Sequence, residues 1–242
     1  MNANAPVVTA PQELGSGRMF DRIARRYDVL NRVLSLGSDQ RWRRAVVRTL
    51  EPREGRRFLD LATGTADLAI LLARDGASVV GVDPSVEMLA VGREKVTRGG
   101  FDSRVSLLEG IAEKIPCADA SVDGACIAFG IRNVPDRDLG LREMLRVVRP
   151  GGRLAILELN EPREGLLAPF ARVHVHSVVP WIGSILSGDR EYRYLARSIA
   201  AFPQPDAFCE KIRAAGWTDV KVRRFTFGVA CLFTATRPGG SP

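Results

Sequence analysis

With 242 residues and 45% hydrophobic content, the chain can bury a full core and has room for one or two domains. No apolar run approaches the roughly 20 residues of a membrane-spanning helix, the amino terminus lacks the basic-then-apolar pattern of a signal peptide, and Cys117, Cys126, Cys209 and Cys231 form no C-x-x-C pair, so free thiols in a cytoplasmic protein are expected. The net charge of +7 is matched by the excess in one stretch, Arg18 to Arg57, where twelve arginines meet five acids. A basic stretch suits nucleic acid or an anionic membrane, but no RNA-binding module or Asn/Asp-Pro-Pro-aromatic run accompanies it, and no nucleic-acid partner is expected.

In chain order, Met1 to Gly17 is small, polar and proline-bearing, the composition of a disordered tail. Residues 18–236 are expected to form a single domain, with helices over 18–56, an insertion over 161–203, and a tail at 237–242. Phe20, Ile23, Ala24 and Tyr27 recur at helical spacing. Asp39 can cap a second helix carrying Trp42, Val46, Val47 and Leu50, with Arg41, Arg43, Arg44 and Arg48 around it, before Pro52 and Gly55 end it. Two arginine-rich amphipathic helices can form a lid, rest on anionic lipid, or simply present solvated faces while packing on a sheet.

Phe58 to Leu61 then reads as a buried strand, Leu68 to Ala73 as a helix ending near Gly76, and Ser78 to Val82 as a strand that delivers Asp83. This strand-helix-strand unit sets the small-residue turn Thr63-Gly64-Thr65-Ala66 at a helix start, where backbone N–H groups await a ligand. An acid roughly 20 residues after the first turn can accept both hydroxyls of a ribose; the plainer alternative is that Asp83 caps the next helix. The glycine pattern of a dinucleotide site is absent. Asp60 and Asp67 would repel a pyrophosphate and suit a cationic ligand such as S-adenosylmethionine, which carries an ammonium and a sulfonium.

A helix from Pro84-Ser85 runs through Gly92, with Met88 either in the core or against an adenine, and Arg93 to Asp102 reads as a polar connection. Val105 to Glu109 is the third strand, followed by Gly110-Ile111-Ala112, small enough for a flat base. Val122 to Phe129, including Ala128, is the fourth, and the loop Gly130 to Asp136 carries Arg132 and Asn133. Leu139 to Val148 is a helix, Arg149 to Gly152 a turn, and Arg153 to Leu159 the fifth strand. Helices between successive strands predict a parallel sheet covered on both faces, with ligands beyond the carboxyl strand ends. The insertion holds His174, His176 and the helix Tyr192 to Arg197, and can cover a greasy substrate. Pro205 to Ala215 then reads as a helix with Gly216 at its cap, and Trp217 to Arg224 and Gly228 to Thr236 as an antiparallel pair.

The runs Met19-Phe20-Asp21, Tyr27-Asp28, Asp60-Leu61-Ala62-Thr63-Gly64-Thr65, Phe129-Gly130-Ile131-Arg132-Asn133-Val134, Arg142 to Gly152, Pro180-Trp181-Ile182-Gly183 and Tyr194-Leu195-Ala196 resemble the menaquinone/ubiquinone biosynthesis C-methyltransferases over about Arg18 to Thr236. The resemblance implies a class I methyltransferase: an α/β, doubly wound, seven-stranded and mostly parallel Rossmann-like sheet with an antiparallel last strand. It implies methyl transfer from S-adenosylmethionine to a ring carbon of a reduced prenylated quinone precursor, demethylmenaquinol before others. Thr65 and Asp83 would contact the cofactor, with Ala112 and Ile111 at the adenine. The cofactor candidates are therefore Asp60, Thr63, Gly64, Thr65, Asp83, Met88, Ile111, Ala112 and Ala128. The chain departs from the family pattern at Ala66 (usually glycine), Ile111 (Asn or Asp), Ala128 (often serine), Cys117 (often phenylalanine) and Leu159-Asn160-Glu161-Pro162. Ala66 is costly if the backbone there needs positive φ.

A ring carbon is a poor nucleophile until the neighbouring hydroxyl loses its proton, so a quinol should react and a quinone should not. Arg132 is the candidate for stabilising the phenolate, its alternative being a tie to Asp136 or Glu158, and Asn133 the candidate for orientation. Tyr27 and Asp28 can close the pocket or serve packing and capping. His174 or His176 can act as general base or stand on the surface; at i,i+2 without a carboxylate-cysteine cluster they predict no metal site. Methylation of another small aromatic hydroxyl compound and a non-catalytic scaffold role are the competing readings. Peripheral contact with the inner face of an anionic membrane is expected, and a homodimer is one assembly the sequence allows.

Overall fold

The computed structural model describes residues 21, 24, 28, 29, 32, 35, 37–161 and 189–239, the side chains of 189–193 excepted. The tail at 1–17, Tyr27, His174, His176 and most of the insertion lie outside the described residues. Among them the chain forms α1 (Ser38–Leu50), β1 (Arg57–Leu61), α2 (Asp67–Arg74), β2 (Ser78–Asp83), α3 (Val86–Arg98), β3 (Val105–Glu109), β4 (Val122–Ala128), α4 (Arg137–Val147), β5 (Val148–Leu159), α5 (Asp189–Ala200), α6 (Pro205–Ala214), β6 (Thr218–Phe225) and β7 (Ala230–Thr236). The described strands make one seven-stranded sheet in the order β3-β2-β1-β4-β5-β7-β6. β1 to β5 pair in parallel, and β7 runs antiparallel to both β5 and β6. This is the expected α/β architecture with its reversed last strand.

Period-two alternation explains why both faces are covered. Leu59, Leu61, Val80, Val82, Ala125, Ile127, Leu154 and Ile156 join the core under α4 and α6, which bring Leu141, Met144, Phe208 and Ile212. Their strand neighbours Phe58, Val79, Cys126, Ala155 and Leu157 join the opposite core, with Trp42 and Val46 of α1, Leu68 and Leu72 of α2 and Val96 of α3. On the first face Trp217 donates its indole N–H to the Leu141 carbonyl at 3.1 Å, so a buried polar group is satisfied.

Three boundaries differ from the sequence reading. Helix α3 continues to Arg98 because Val96 stands seven residues after Leu89 on the same buried stripe, leaving the charged residues between them on the outside. The Arg149–Gly152 turn is carried as a bulge inside β5, where the register slips between Val122 and Gly124. Asp39 does not cap α1: the helix begins at Ser38 after Gly37, and the buried Asp39 carboxylate accepts the Ser35 hydroxyl at 2.9 Å and faces Arg43. The four cysteines are free thiols, as expected.

Candidate active site

Strands β1, β2 and β4 end at the same edge of the sheet, and the chain turns sharply there. Ala62, Gly64, Ala66 and Phe129 all hold positive φ, at 50°, 55°, 64° and 61°. Three of the four carry a Cβ that disfavours this conformation, and such strain gathers where a site demands a backbone shape. Ala66 thus has the positive φ for which the family glycine is suited. Gly130 is fixed by close approach: a Cβ there would meet the Ala62 Cβ at 2.6 Å. Gly64 differs, since a Cβ on it would meet nothing within 4 Å, so this turn borders open space.

Asp83 lies 7% exposed at the end of β2, where one carboxylate oxygen accepts the Gly64 N–H at 2.8 Å and the other accepts the Ser85 N–H at 2.9 Å. The helix cap itself is Ser85, whose hydroxyl oxygen accepts the Met88 N–H. Burial raises the Asp83 pKa, opposed by those two N–H donors. Each oxygen keeps a second lone pair, which is the capacity a ribose diol requires. Ile111, half exposed beyond β3, and the buried Ala112 supply a small apolar surface for a base. The donor set therefore fits an adenosyl group; Met88 is 2% exposed and belongs to the core beside it.

Asp60 sits beneath the turn at 1% exposure, accepting the Thr63 hydroxyl at 2.7 Å, with the Cys126 thiol at 3.6 Å. Burial pushes its pKa up to about 6, opposed by the Thr63 hydrogen bond and then by the Arg43 charge. Arg43, expected on a charged helix face, is instead 7% exposed, its guanidinium 5.3 Å from the Phe129 ring centroid. Asp67 is not available to a cationic ligand in the way the sequence suggested. Lys95 donates to it, to Asp28 at 2.9 Å and to the Thr65 hydroxyl oxygen at 3.1 Å, while Thr65 donates to Asp28 at 2.6 Å. Asp21 accepts the Ser85 hydroxyl at 2.5 Å. Asp21 and Asp28 are thus bonded to groups just past the ends of β2 and β1. Lys95 gave no sequence signal because it falls in the stretch read as a connection.

At the end of β4 the turn Ile131–Asn133 is built on Glu158, which is fully buried. Glu158 accepts the Arg132 guanidinium at 2.7 Å, the Arg132 backbone N–H at 3.1 Å and the Leu159 N–H at 2.8 Å; Arg132 also donates to the Phe129 carbonyl at 2.7 Å. The tie to Glu158 considered from the sequence is therefore present. The Asn133 amide oxygen accepts the Tyr194 hydroxyl of α5 at 2.9 Å, and Arg137 donates to the Arg132 carbonyl at 2.8 Å. Burial raises the Tyr194 pKa while Arg132 and Arg137 oppose the rise. Tyr194 went unassigned to the site in the sequence reading; Ala128 lies 8% exposed at the strand end before this turn.

The model of the ubiE/COQ5 methyltransferase family matches residues 9–237. The chain belongs to this family. It is 43% identical over 222 residues to the ubiquinone/menaquinone biosynthesis C-methyltransferase UbiE of Geobacter sulfurreducens, covering 90% of this chain and 87% of that one. It is 44% identical to the demethylmenaquinone methyltransferase of Thermus thermophilus, covering 91% of this chain and all of that one. Among solved structures, a possible histamine N-methyltransferase of Thermotoga maritima superposes with a TM-score of 0.66 at 21% identity, over 91% of this chain and 98% of that one, which shows the shared fold. As a family member the protein is a methyltransferase whose methyl donor is S-adenosylmethionine.

Proposed function

We infer that the protein methylates a ring carbon of a reduced prenylated quinone precursor, demethylmenaquinol before a benzoquinol. The observation that carries this reading is the turn at the end of β4, where buried Glu158 fixes Arg132 and the neighbouring Asn133 accepts the Tyr194 hydroxyl. Burial raises the Tyr194 pKa and the charges of Arg132 and Arg137 oppose that rise; on a quinol hydroxyl placed beside them the same two charges act in favour of ionisation. Relatives named for demethylmenaquinone methylation support the choice of ring.

S-adenosylmethionine supplies an electrophilic methyl on sulfur. The chain's own residues do the rest. Asp83 would receive the ribose hydroxyls, Thr63, Gly64 and Thr65 would border the turn that holds them, and Ile111 with Ala112 would hold the base. Asp60, sealed below, holds Thr63 in place rather than meeting the ligand. Glu158 fixes Arg132 and the whole turn, so the positive charge needs little reorganisation as the phenolate forms. Tyr194 holds the Asn133 amide oxygen, leaving the amide N–H groups to orient the substrate. The bound donor would supply the methyl and leave as a neutral thioether; with the quinol oxygen deprotonated beside Arg132, its electron pair would reach the ring carbon that takes the methyl, and loss of the ring proton would restore aromaticity. Tyr27, and His174 as the base, complete the catalytic set proposed here.

Contact with membrane is part of this reading. Among the described residues no helix is long and apolar enough to cross a bilayer, and Arg41, Arg44 and Arg48 are exposed along α1. A cytoplasmic enzyme resting on anionic lipid at the inner face fits both. The test is methyl transfer from labelled donor to demethylmenaquinol and, in parallel, to a demethylated ubiquinol precursor, with the label located on the product. Label on the naphthoquinol carbon is expected; transfer to the benzoquinol alone overturns the choice of ring, and failure to bind the donor overturns the enzymatic reading.

A further inference from the structure

The large hydrophobic side chains left in water are not scattered. Among the described residues they are Val29, Val86, Leu108, Ile111 and Phe227, from 39% exposed for Leu108 to 75% for Phe227. All five stand at the carboxyl edge of the sheet. Leu108 is the penultimate residue of β3 and Ile111 follows its end; Val86 opens α3 just past β2. Val29 adjoins Asp28, which is bonded to Thr65 beyond β1. Phe227 lies in the turn between β6 and β7, where Ala230 pairs with Leu159 at the end of β5. Ile111 is accounted for by the base of the cofactor, and the other four have no such employment. Isolated exposed hydrophobic residues are ordinary, whereas their concentration on one side of a protein marks a contact surface.

The turn that carries Phe227 is built to present it. Thr226, Phe227 and Gly228 have φ of 45°, 56° and 90°, two of them without the freedom of glycine. The buried Asn160 holds the turn from below, its amide donating to the Gly228 carbonyl at 3.1 Å and its backbone N–H to the Val229 carbonyl at 2.9 Å. Strain and an exposed aromatic ring are both retained where Asn or Gly would remove both. Lys221, Arg223 and Arg224 are exposed along β6 as it approaches the turn, with Arg224 beside Asp206 at 3.3 Å. Glu109 ends β3 at the far side of the edge, and Glu113 follows it. From β3 to β6 the edge spans six strand spacings, roughly 29 Å, and the site at the ends of β1 and β4 lies between.

We propose that this carboxyl edge is a docking face for a lipid bilayer with anionic headgroups, with Phe227 inserted at the acyl boundary and the basic β6 end meeting the headgroup charge. The active-site edge then faces the membrane, and a substrate with a prenyl tail enters without leaving it. That purpose rests on the quinol reading, but the surface itself does not. Charge alone would place the protein by its arginine-rich helices; the proposal differs in requiring an apolar anchor on a different element.

The test is partition of the full chain onto phosphatidylcholine vesicles with and without phosphatidylglycerol, for wild type, Phe227→Asn, Arg223→Gln and Arg98→Gln. Asn tolerates positive φ, so Phe227→Asn keeps the fold, which circular dichroism checks. Burying much of a phenylalanine predicts that Phe227→Asn weakens partition about ten-fold on anionic vesicles. Arg223→Gln should weaken it about five-fold there and leave zwitterionic binding unchanged. Arg98→Gln, at the opposite end of α3, should leave zwitterionic binding unchanged. Wild type that stays in solution, or Phe227→Asn that partitions like wild type, overturns the proposal. Vesicle binding that needs Phe227 in a protein that methylates no quinol would keep the docking face and reject the quinol reading.

Discussion

Asp60 and Glu158 are both sealed from water at the carboxyl edge of one sheet, yet the chain treats them differently. Glu158 is met by a guanidinium and two backbone N–H groups. Asp60 has a hydroxyl, a thiol and a more distant arginine charge, and its pKa rises to about 6. The substrate end thus carries its compensating cation within the protein, which fixes the turn before any ligand arrives. At the cofactor end, Asp83 holds two N–H donors and burial still raises its pKa. That end is left with acceptor capacity and little internal positive charge, the state in which a cationic, hydroxyl-rich ligand adds most. Lys95 does not alter this balance, because Asp28 and Asp67 already hold it.

The sharpest way to break the comparison is to remove each carboxylate in turn. Glu158→Ala takes the counter-charge from the buried Arg132 guanidinium and should cost about 4 kcal/mol in denaturant unfolding; replacing both Arg132 and Glu158 by apolar residues of similar volume should restore most of it while methyl transfer stays lost. Asp83→Asn should instead leave unfolding little changed and weaken cofactor binding about 100-fold by calorimetry, the worth of charge-assisted hydrogen bonds to two hydroxyls.

Asp60 gives a pH signature of definite sign. Its folded pKa of about 6 lies above the ordinary 3.8, so between those values the folded state binds the extra proton. Stability from this group therefore rises as pH falls through 6 and is lost as pH rises. Unfolding from pH 7 down to 4.5 should show wild type gaining about 2 kcal/mol relative to Asp60→Asn. Equal slopes for the two proteins would mean that Asp60 is not the raised group. The smallest effect belongs to Ala66→Gly. Relief of the positive φ is offset by a lost buried methyl and a floppier unfolded chain, so stability should shift by less than about 1 kcal/mol.

The sheet was legible because its alternation and its turn residues are local properties. Strand β1, the Thr63–Ala66 turn and Asp83 lie within one short stretch whose spacing is diagnostic, and the need for positive φ at residue 66 could be raised before the backbone was known. Residues that act through long-range pairing were less legible. Glu158 could be named as one of two possible partners for Arg132, but only the alignment of β4 and β5 selects it over Asp136, and Tyr194 meets Asn133 across 61 positions of sequence. Arg43 misled for the opposite reason: one arginine in an arginine-rich helix gives no sign that it alone turns inward onto Phe129.

The central claim is that the β4 turn stabilises a phenolate, and the most direct test compares the reduced and oxidised forms of one substrate. Wild type and Arg132→Ala should be given saturating labelled S-adenosylmethionine with demethylmenaquinol or with demethylmenaquinone under anaerobic conditions. Transfer to the ring of the quinol alone, reduced at least 100-fold in Arg132→Ala with donor binding unchanged, is the predicted result. Equal transfer to quinol and quinone, or full activity in Arg132→Ala, would contradict it.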